Sequence, residues 1–151
     1  MIQLLCVKHI TFMTKIELVD SETGKYYPIV VNGQIFSYKA TGMTRIVYEN
    51  KDKTLVVKKC ISDYRDNFYN NEEFEYYQNA DEVAKKQLAE TFLNENGLIV
   101  QEWLYTLDDN RFEKPRLSFE QIRFANSCRK EVGFDKNGNL KCFDLPEYKK
   151  Y

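Results

Sequence analysis

The sequence predicts an α+β domain in which an antiparallel sheet comes first, a few helices follow, and a β-hairpin lies near the C-terminus. Three observations predict this class. Short apolar runs separated by turn residues follow one another over residues 15–61, as in an antiparallel meander. A charged and aromatic stretch begins at Ser62. Further on, Asn137-Gly138 separates two short apolar runs, which is a strong hairpin signal.

The predicted strands of the first half are KIELVD, YYPIVV, QIFSYKA, RIVYE and TLVVKKCI. Turn residues at 21–24, 32–33, 41–44 and 50–53 separate them. Their lengths and spacing predict one antiparallel sheet over residues 15–61.

Two helices are predicted next. Phe68, Phe74 and Tyr77 fall near helical spacing within residues 63–80. Asp81-Glu82 is expected to begin a second, amphipathic helix, because aspartate is a favoured N-cap residue. Its inward-facing residues are expected to be Val83, Leu88 and Phe92.

The remaining elements are a strand, a short helix and the terminal hairpin. The run LIVQEWL predicts a buried strand over residues 98–104. Ser118 with Gln121 three residues later predicts a capping box for a short helix that ends near Cys128. The hairpin around Asn137-Gly138 then leads to Asp144, a carboxylate between two apolar residues.

Length and composition favour a single packed domain. The chain has 151 residues, of which 43% are hydrophobic and 15% aromatic. Met13-Thr14-Lys15 has the composition of a natural start. We therefore expect residues 1–14 to be a non-native extension and residues 15–151 to be the domain.

Charge and cysteine usage exclude several function classes. Lys and Arg total 22 against 23 Asp and Glu, and no basic stripe is interleaved with aromatics, which argues against nucleic acid as the ligand. The four cysteines are far apart and His9 is the single histidine, so neither a zinc site nor a disulfide framework is predicted. Without a signal peptide or an apolar membrane span, we expect a cytoplasmic protein with no membrane partner.

The order of these elements resembles the protein-kinase-like fold, especially the small kinase-like proteins of phages and bacterial mobile elements. The segments that carry the resemblance are ATGMTRIVYE, LVVKK, NNEEFEYY, GLIVQEWL and GFDKNGNLKCFDL. They match, in order, the phosphate-covering turn, the lysine strand, the glutamate helix, the strand leading to the hinge, and the hairpin with the metal-binding aspartate. The resemblance covers most of residues 39–145 and implies an N-terminal lobe with a miniature C-terminal lobe.

The resemblance implies a nucleotide site made of ATP-binding and magnesium-binding residues. Lys58 matches the family lysine that neutralises phosphates, and Glu73 is the better partner for it, with Glu72 as the alternative register. The other nucleotide-binding candidates are Gly42 in the turn and Glu102 and Trp103 at the hinge, where the indole could stack on a purine. The magnesium candidates are Glu131 and Asp144, because magnesium prefers oxygen ligands.

The sequence departs from the family at the catalytic positions. Gly42 is what remains of the glycine-rich loop. Counting back from Val132, Asn126 stands where the proton-accepting aspartate is expected, and an amide cannot act as that base. Glu131 stands where the family has a metal-binding asparagine. No catalytic residue is therefore assigned.

Three functions follow from these observations. The first is a pseudokinase-type protein that binds a nucleotide or a host or phage protein without catalysis. The second is a minimal phosphotransferase that uses Glu131 or a water in place of the missing base. The third is an interaction protein, for example a phage counter-defence factor, that binds no nucleotide. The trio of Lys58, Glu73 and Asp144 favours the first function over the third.

Overall fold

The computed structural model describes residues 19–61, 67–106, 116–127 and 131–143. Over these ranges the chain is α+β, with a six-stranded antiparallel sheet, a three-stranded antiparallel sheet and three helices. The predicted fold class is confirmed at this level. The predictions for residues 1–14, His9, Cys128 and Asp144 lie outside the described residues.

In chain order the elements are β1 (Ile29–Val31), β2 (Gln34–Thr41), β3 (Arg45–Asn50), β4 (Leu55–Cys60), α1 (Phe68–Asn79), α2 (Glu82–Lys85), β5 (Thr91–Leu93), β6 (Ile99–Glu102), β7 (Tyr105–Thr106), α3 (Phe119–Ser127), β8 (Val132–Phe134) and β9 (Leu140–Cys142). The larger sheet has the strand order β1-β2-β3-β4-β6-β5, and the smaller sheet has the order β7-β8-β9. The prediction of one sheet is confirmed for the four strands that lie between residues 29 and 60.

Two Asn-Gly pairs form the predicted turns, but with different geometries. Asn32 and Gly33 both have positive φ values, 50° and 77°, which is the requirement of a two-residue type I′ hairpin turn. In the β8–β9 hairpin, the amide of Asp135 donates to the carbonyl of Asn139 at 2.9 Å, so the loop has three residues and ends in Gly138 at φ 81°. The carboxylate of Asp135 accepts the amides of Asn137 and Asn139, which fixes this loop.

The interior has two apolar clusters. One lies on the larger sheet and contains Val31, Phe36, Ile46, Tyr48 and Val57. The other lies against the terminal hairpin and contains Leu88, Val132, Phe134, Leu140 and Cys142. Burial of such side chains is the main favourable term in folding, so the hairpin is part of the core rather than an appendage.

The second predicted helix is wrong over most of its length. Asp81 caps it as expected, because its carboxylate accepts the amide of Ala84 at 2.8 Å, but α2 lasts a single turn. Val83 is 74% exposed, and Phe92 is 53% exposed in strand β5. The chain leaves the helix because the segment around Leu88 forms a bridge to β9, and this tertiary pairing overrides helix propensity.

Helix α1 packs through polar side chains. Its buried residues are Asn70 and Glu73, whereas Phe68 is exposed and Tyr77 is half-buried. The prediction of a helix here is confirmed, although its apolar residues are not the ones that face the sheet. The capping box of α3 is also confirmed, since Ser118 and Gln121 exchange backbone-to-side-chain hydrogen bonds of 2.9 and 3.1 Å.

Candidate functional site

Lys58 and Glu73 form a buried ion pair between β4 and α1. Lys58 Nζ lies 2.7 Å from Glu73 Oε1, and the side chains are 6% and 0% exposed. The predicted contact is therefore confirmed, and so is the choice of Glu73 over Glu72, which is half-buried. Asn70, one turn before Glu73, holds the helix against the strand by donating to the carbonyl of Lys58 at 2.8 Å.

Two residues that the sequence analysis did not select complete this pair. The guanidinium of Arg45 at the start of β3 donates to Glu73 Oε2. The amide of Gln101 in β6 donates to Glu73 Oε1 at 3.2 Å. We call Arg45, Lys58, Glu73 and Gln101 the Glu73 cluster. Gln101 could have been noticed as one of two polar residues inside the apolar run LIVQEWL, because a buried polar group needs a partner.

Glu73 is held in its ionised form by its neighbours. Burial raises the pKa of this carboxyl, but the charges of Lys58 and Arg45 and their hydrogen bonds outweigh burial and lower the pKa below its ordinary value. A charged group in this position is costly unless it is paired and hydrogen-bonded. The two cations therefore keep a carboxylate in the interior.

Lys58 also connects the sheet to the terminal hairpin. Its Nζ donates to the main-chain carbonyl of Phe143 at 2.6 Å. Phe143 directly follows β9 and precedes Asp144, the magnesium candidate that lies outside the described residues. Strand β4, helix α1 and the end of the β8–β9 hairpin therefore meet at the ammonium group of Lys58.

A cavity of about 710 Å³ opens beside the cluster. Its walls come from the β2–β3 connection, strands β3, β4 and β6, the segment after β6, and the ends of the hairpin. Of the residues that the sequence nominated, Gly42, Lys58, Glu102, Trp103 and Glu131 line this cavity. Glu73 lies behind Lys58 and is not a lining residue. The volume falls in the range of small-molecule sites.

The cavity wall is one face of the larger sheet. Val47 pairs with Lys58 between β3 and β4, and Val56 pairs with Gln101 between β4 and β6. Directly paired residues present their side chains on the same face of a sheet. Apolar side chains therefore lie beside Lys58 and Gln101 on this wall.

The backbone conformation at Gly42 does not require a glycine. Its φ is not positive, and a Cβ added there would meet only the carbonyl of Arg45 at 3.6 Å. The amide of Gly42 donates to that same carbonyl at 2.8 Å, which closes the β2–β3 connection. Met43 beside it is fully exposed. The turn covers the cavity, but it does not have the conformation of a glycine-rich phosphate loop.

Trp103 is a fixed part of the wall. Its indole Nε1 donates to Glu49 Oε2 at 2.9 Å, its ring meets Tyr105 edge-on at a centroid distance of 4.7 Å, and Lys39 Nζ lies 5.2 Å from its centroid. Trp103 as a whole is 5% exposed. Trp103 therefore packs within the protein and has little surface left for a ligand.

The side chain of Glu102 is used to join the two sheets. Lys141 Nζ in β9 donates to both of its carboxylate oxygens, at 2.9 and 3.1 Å, and also lies 3.4 Å from Asp135. Burial lowers the pKa of Lys141, but the hydrogen bond and charge of Glu102 outweigh burial and raise it. The carboxylate of Glu102 is therefore already paired with Lys141.

The catalytic position predicted at Asn126 is not brought to the cavity. Asn126 is exposed on α3 and is not among the lining residues. Glu131 is half-buried and does line the cavity. Within residues 19–61, 67–106, 116–127 and 131–143, no three histidine, cysteine, aspartate or glutamate side chains come together as a metal site.

No model of a known protein family matches the chain, and no curated protein is significantly similar to it. Over the part of the chain that the structure describes, no helix has the length and apolar character to cross a membrane. The kinase-like interpretation therefore depends on the order of the segments and on the site geometry.

Proposed function

We propose that the chain is a degenerate, kinase-like protein that binds a nucleotide in the cavity beside Lys58 and does not transfer phosphate. In this proposal the six-stranded sheet and α1 correspond to the N-terminal lobe, and α3 with the β8–β9 hairpin corresponds to a miniature C-terminal lobe. The observation that carries the proposal is the buried pair of Lys58 and Glu73 at the wall of a ligand-sized cavity.

A buried ion pair of this kind is poorly explained by stability alone. The desolvation of two charges offsets much of their attraction, so apolar residues of similar size would hold β4 and α1 together at least as well. Carboxyl groups with a shifted pKa beside a cavity mark functional sites more often than average. A lysine that a glutamate holds in place is suited to bind the phosphates of a nucleotide.

The cavity also suits the other parts of a nucleotide. Val47 and Val56 supply apolar contacts for a flat base, as ligand sites are mostly apolar with a few polar groups. If magnesium accompanies the phosphates, Glu131 in the cavity wall is the described carboxylate that would hold it, together with Asp144. Magnesium would neutralise phosphate charge.

Catalysis is disfavoured because the expected base is an amide. Asn126 cannot accept a proton from a substrate hydroxyl, and it lies on the exposed side of α3. A minimal phosphotransferase would have to use Glu131 instead, which lines the cavity and is the residue to mutate if any transfer is observed.

Titration calorimetry with Mg-ATP tests the proposal on wild type, Lys58→Ala and Lys59→Ala. Lys59 is the matched control because it is the neighbouring lysine of β4 and points to the opposite face of the sheet. We expect Lys58→Ala to weaken binding by roughly ten- to a hundredfold, since a charge-assisted contact contributes about 1.5–3 kcal/mol. Lys59→Ala should bind as wild type does.

Two outcomes would contradict the proposal. One is the absence of any binding by folded wild type at millimolar Mg-ATP. The other is an equal affinity of wild type and folded Lys58→Ala. The first result would leave the interaction-protein function, in which a host protein is the partner, and the second would mean that the nucleotide binds without Lys58.

A further inference from the structure

Arg45 is a second cation in the cavity wall beside Lys58, and it is not among the residues that the sequence nominated. Both side chains line the cavity, and their exposed fractions are 10% and 6%. A cation that is this buried needs an anionic partner, which Glu73 provides for both. Because both side chains border the cavity, a ligand inside it can reach the two charges.

One carboxylate holds the two cations next to each other. Arg45 Nη1 donates to Glu73 Oε2, and Lys58 Nζ donates to Glu73 Oε1 at 2.7 Å. In the sheet, Arg45 pairs with Cys60, which lies two residues beyond Lys58 on β4. The side chains of Arg45 and Lys58 therefore leave the same face of the sheet at neighbouring positions. They are close enough together for one small anionic group to contact both.

A phosphate group has the chemistry that two such cations bind. Like the carboxylate of Glu73, it presents neighbouring oxygens that accept hydrogen bonds, and it carries negative charge. The guanidinium of Arg45 has five N–H hydrogens in a planar fork, so it can serve a further acceptor besides Glu73. Arginine is also the side chain best suited to phosphate, because its fork matches the spacing of two phosphate oxygens.

We infer that Arg45 is a second phosphate-binding residue, and that it and Lys58 together contact one phosphate group of the nucleotide. This role rests on the proposed nucleotide binding and adds a contact from β3 to the lysine of β4. Glu73 fixes both cations before a ligand binds, so their side chains lose little entropy when the phosphate arrives. The affinity for a phosphate-bearing ligand should therefore depend on the charge of Arg45 as well as on that of Lys58.

NMR titrations with Mg-ATP and with adenosine in the same buffer measure the contribution of the phosphates as a ratio of two affinities. Two charge-assisted contacts should make Mg-ATP bind wild type roughly a hundredfold more tightly than adenosine does. Arg45→Gln keeps a donor for Glu73 but removes the charge, and it should lower this ratio by roughly tenfold. Lys59→Gln removes a charge from the opposite face of the sheet and should keep the wild-type ratio.

The ratio separates phosphate binding from a general loss of structure, because a less stable Arg45→Gln protein would bind both ligands more weakly by the same factor. Wild type gives a second measurement that needs no variant. Its Arg45 Nε–H signal should shift with Mg-ATP and stay in place with adenosine.

An unchanged ratio in folded Arg45→Gln, or an Arg45 signal that does not respond to Mg-ATP, would overturn the role of Arg45 while leaving nucleotide binding intact. Binding of neither Mg-ATP nor adenosine by wild type would refute the proposed function itself.

Discussion

Substitution of Glu73 tests whether the buried cluster is held together by charge. Glu73 accepts from Lys58, Arg45 and Gln101, and its side chain is fully buried. In Glu73→Leu the two cations would remain in the interior without this carboxylate. Removing one partner of a buried ion pair typically costs about 3–5 kcal/mol, and here one carboxylate serves two cations. We expect a loss at the upper end of that range.

A series of variants makes this expectation specific. Glu73→Gln keeps the shape and one acceptor but removes the charge, and we expect it to cost about 2–3 kcal/mol, as for hydrogen bonds to charged groups. Glu72→Gln is the matched control at the adjacent, half-buried residue. Its free energy of unfolding should stay within about 0.5 kcal/mol of that of wild type. Replacing Arg45, Lys58 and Glu73 together by Met, Met and Leu should recover most of the loss.

Urea unfolding at several pH values provides the measurement. The folded-state pKa of Glu73 is lowered from its ordinary value of 4.5, so its stabilising effect is fully present above that value. The effect is lost as the pH falls through the lowered folded-state pKa, and the difference between wild type and Glu73→Gln should shrink there. A difference that is small at pH 7, or that is the same at neutral and strongly acidic pH, would refute the charge-based explanation.

Two further predictions concern the hairpin and the absence of catalysis. Gly133→Ala should destabilise the protein by about 1–3 kcal/mol in urea unfolding, because the added Cβ would lie 2.8 Å from Leu104 Cβ. Gly42→Ala would bring its Cβ only to an ordinary contact of 3.6 Å with the carbonyl of Arg45 and should be neutral to within about 0.5 kcal/mol, and equal effects of the two substitutions would contradict this packing. The purified chain should show no protein phosphorylation with radiolabelled ATP, because in the proposed kinase-like alignment Asn126 stands at the position of the base. Transfer that disappears in Lys58→Ala would show instead that the protein is a minimal enzyme.

The sequence predicted the elements whose signals are local. Asn32-Gly33 and the capping box of Ser118 and Gln121 depend on neighbouring residues alone, and both were confirmed. The helix after Asp81 failed because a distant strand captures the segment around Leu88. Pairing with β9 depends on the tertiary fold. The helical spacing of apolar residues in this segment gives no information about such a distant partner.

The candidate site was predicted in part for a similar reason. Lys58 and Glu73 were selected because each lies in a segment that resembles a kinase motif. Their contact was then confirmed by the structure. Arg45 begins a strand that reads as apolar, and its salt bridge spans 28 positions of sequence. Trp103 was nominated as a base-stacking residue, but its contacts with Glu49 and Tyr105 show a packing role that no spacing rule reveals.

The position of Lys58 explains how one residue could serve both the fold and a ligand. A lysine ammonium has three hydrogens, and over the described part of the chain two of them are used, by Glu73 at 2.7 Å and by the carbonyl of Phe143 at 2.6 Å. Both acceptors come from elements outside β4, so the ammonium is fixed from two sides before any ligand arrives. The third hydrogen can then donate to an anion in the cavity without breaking either contact. A preorganised donor of this kind loses little side-chain entropy on binding. The geometry that ties α1 and the hairpin to the sheet is therefore the same geometry that would make Lys58 an effective phosphate contact.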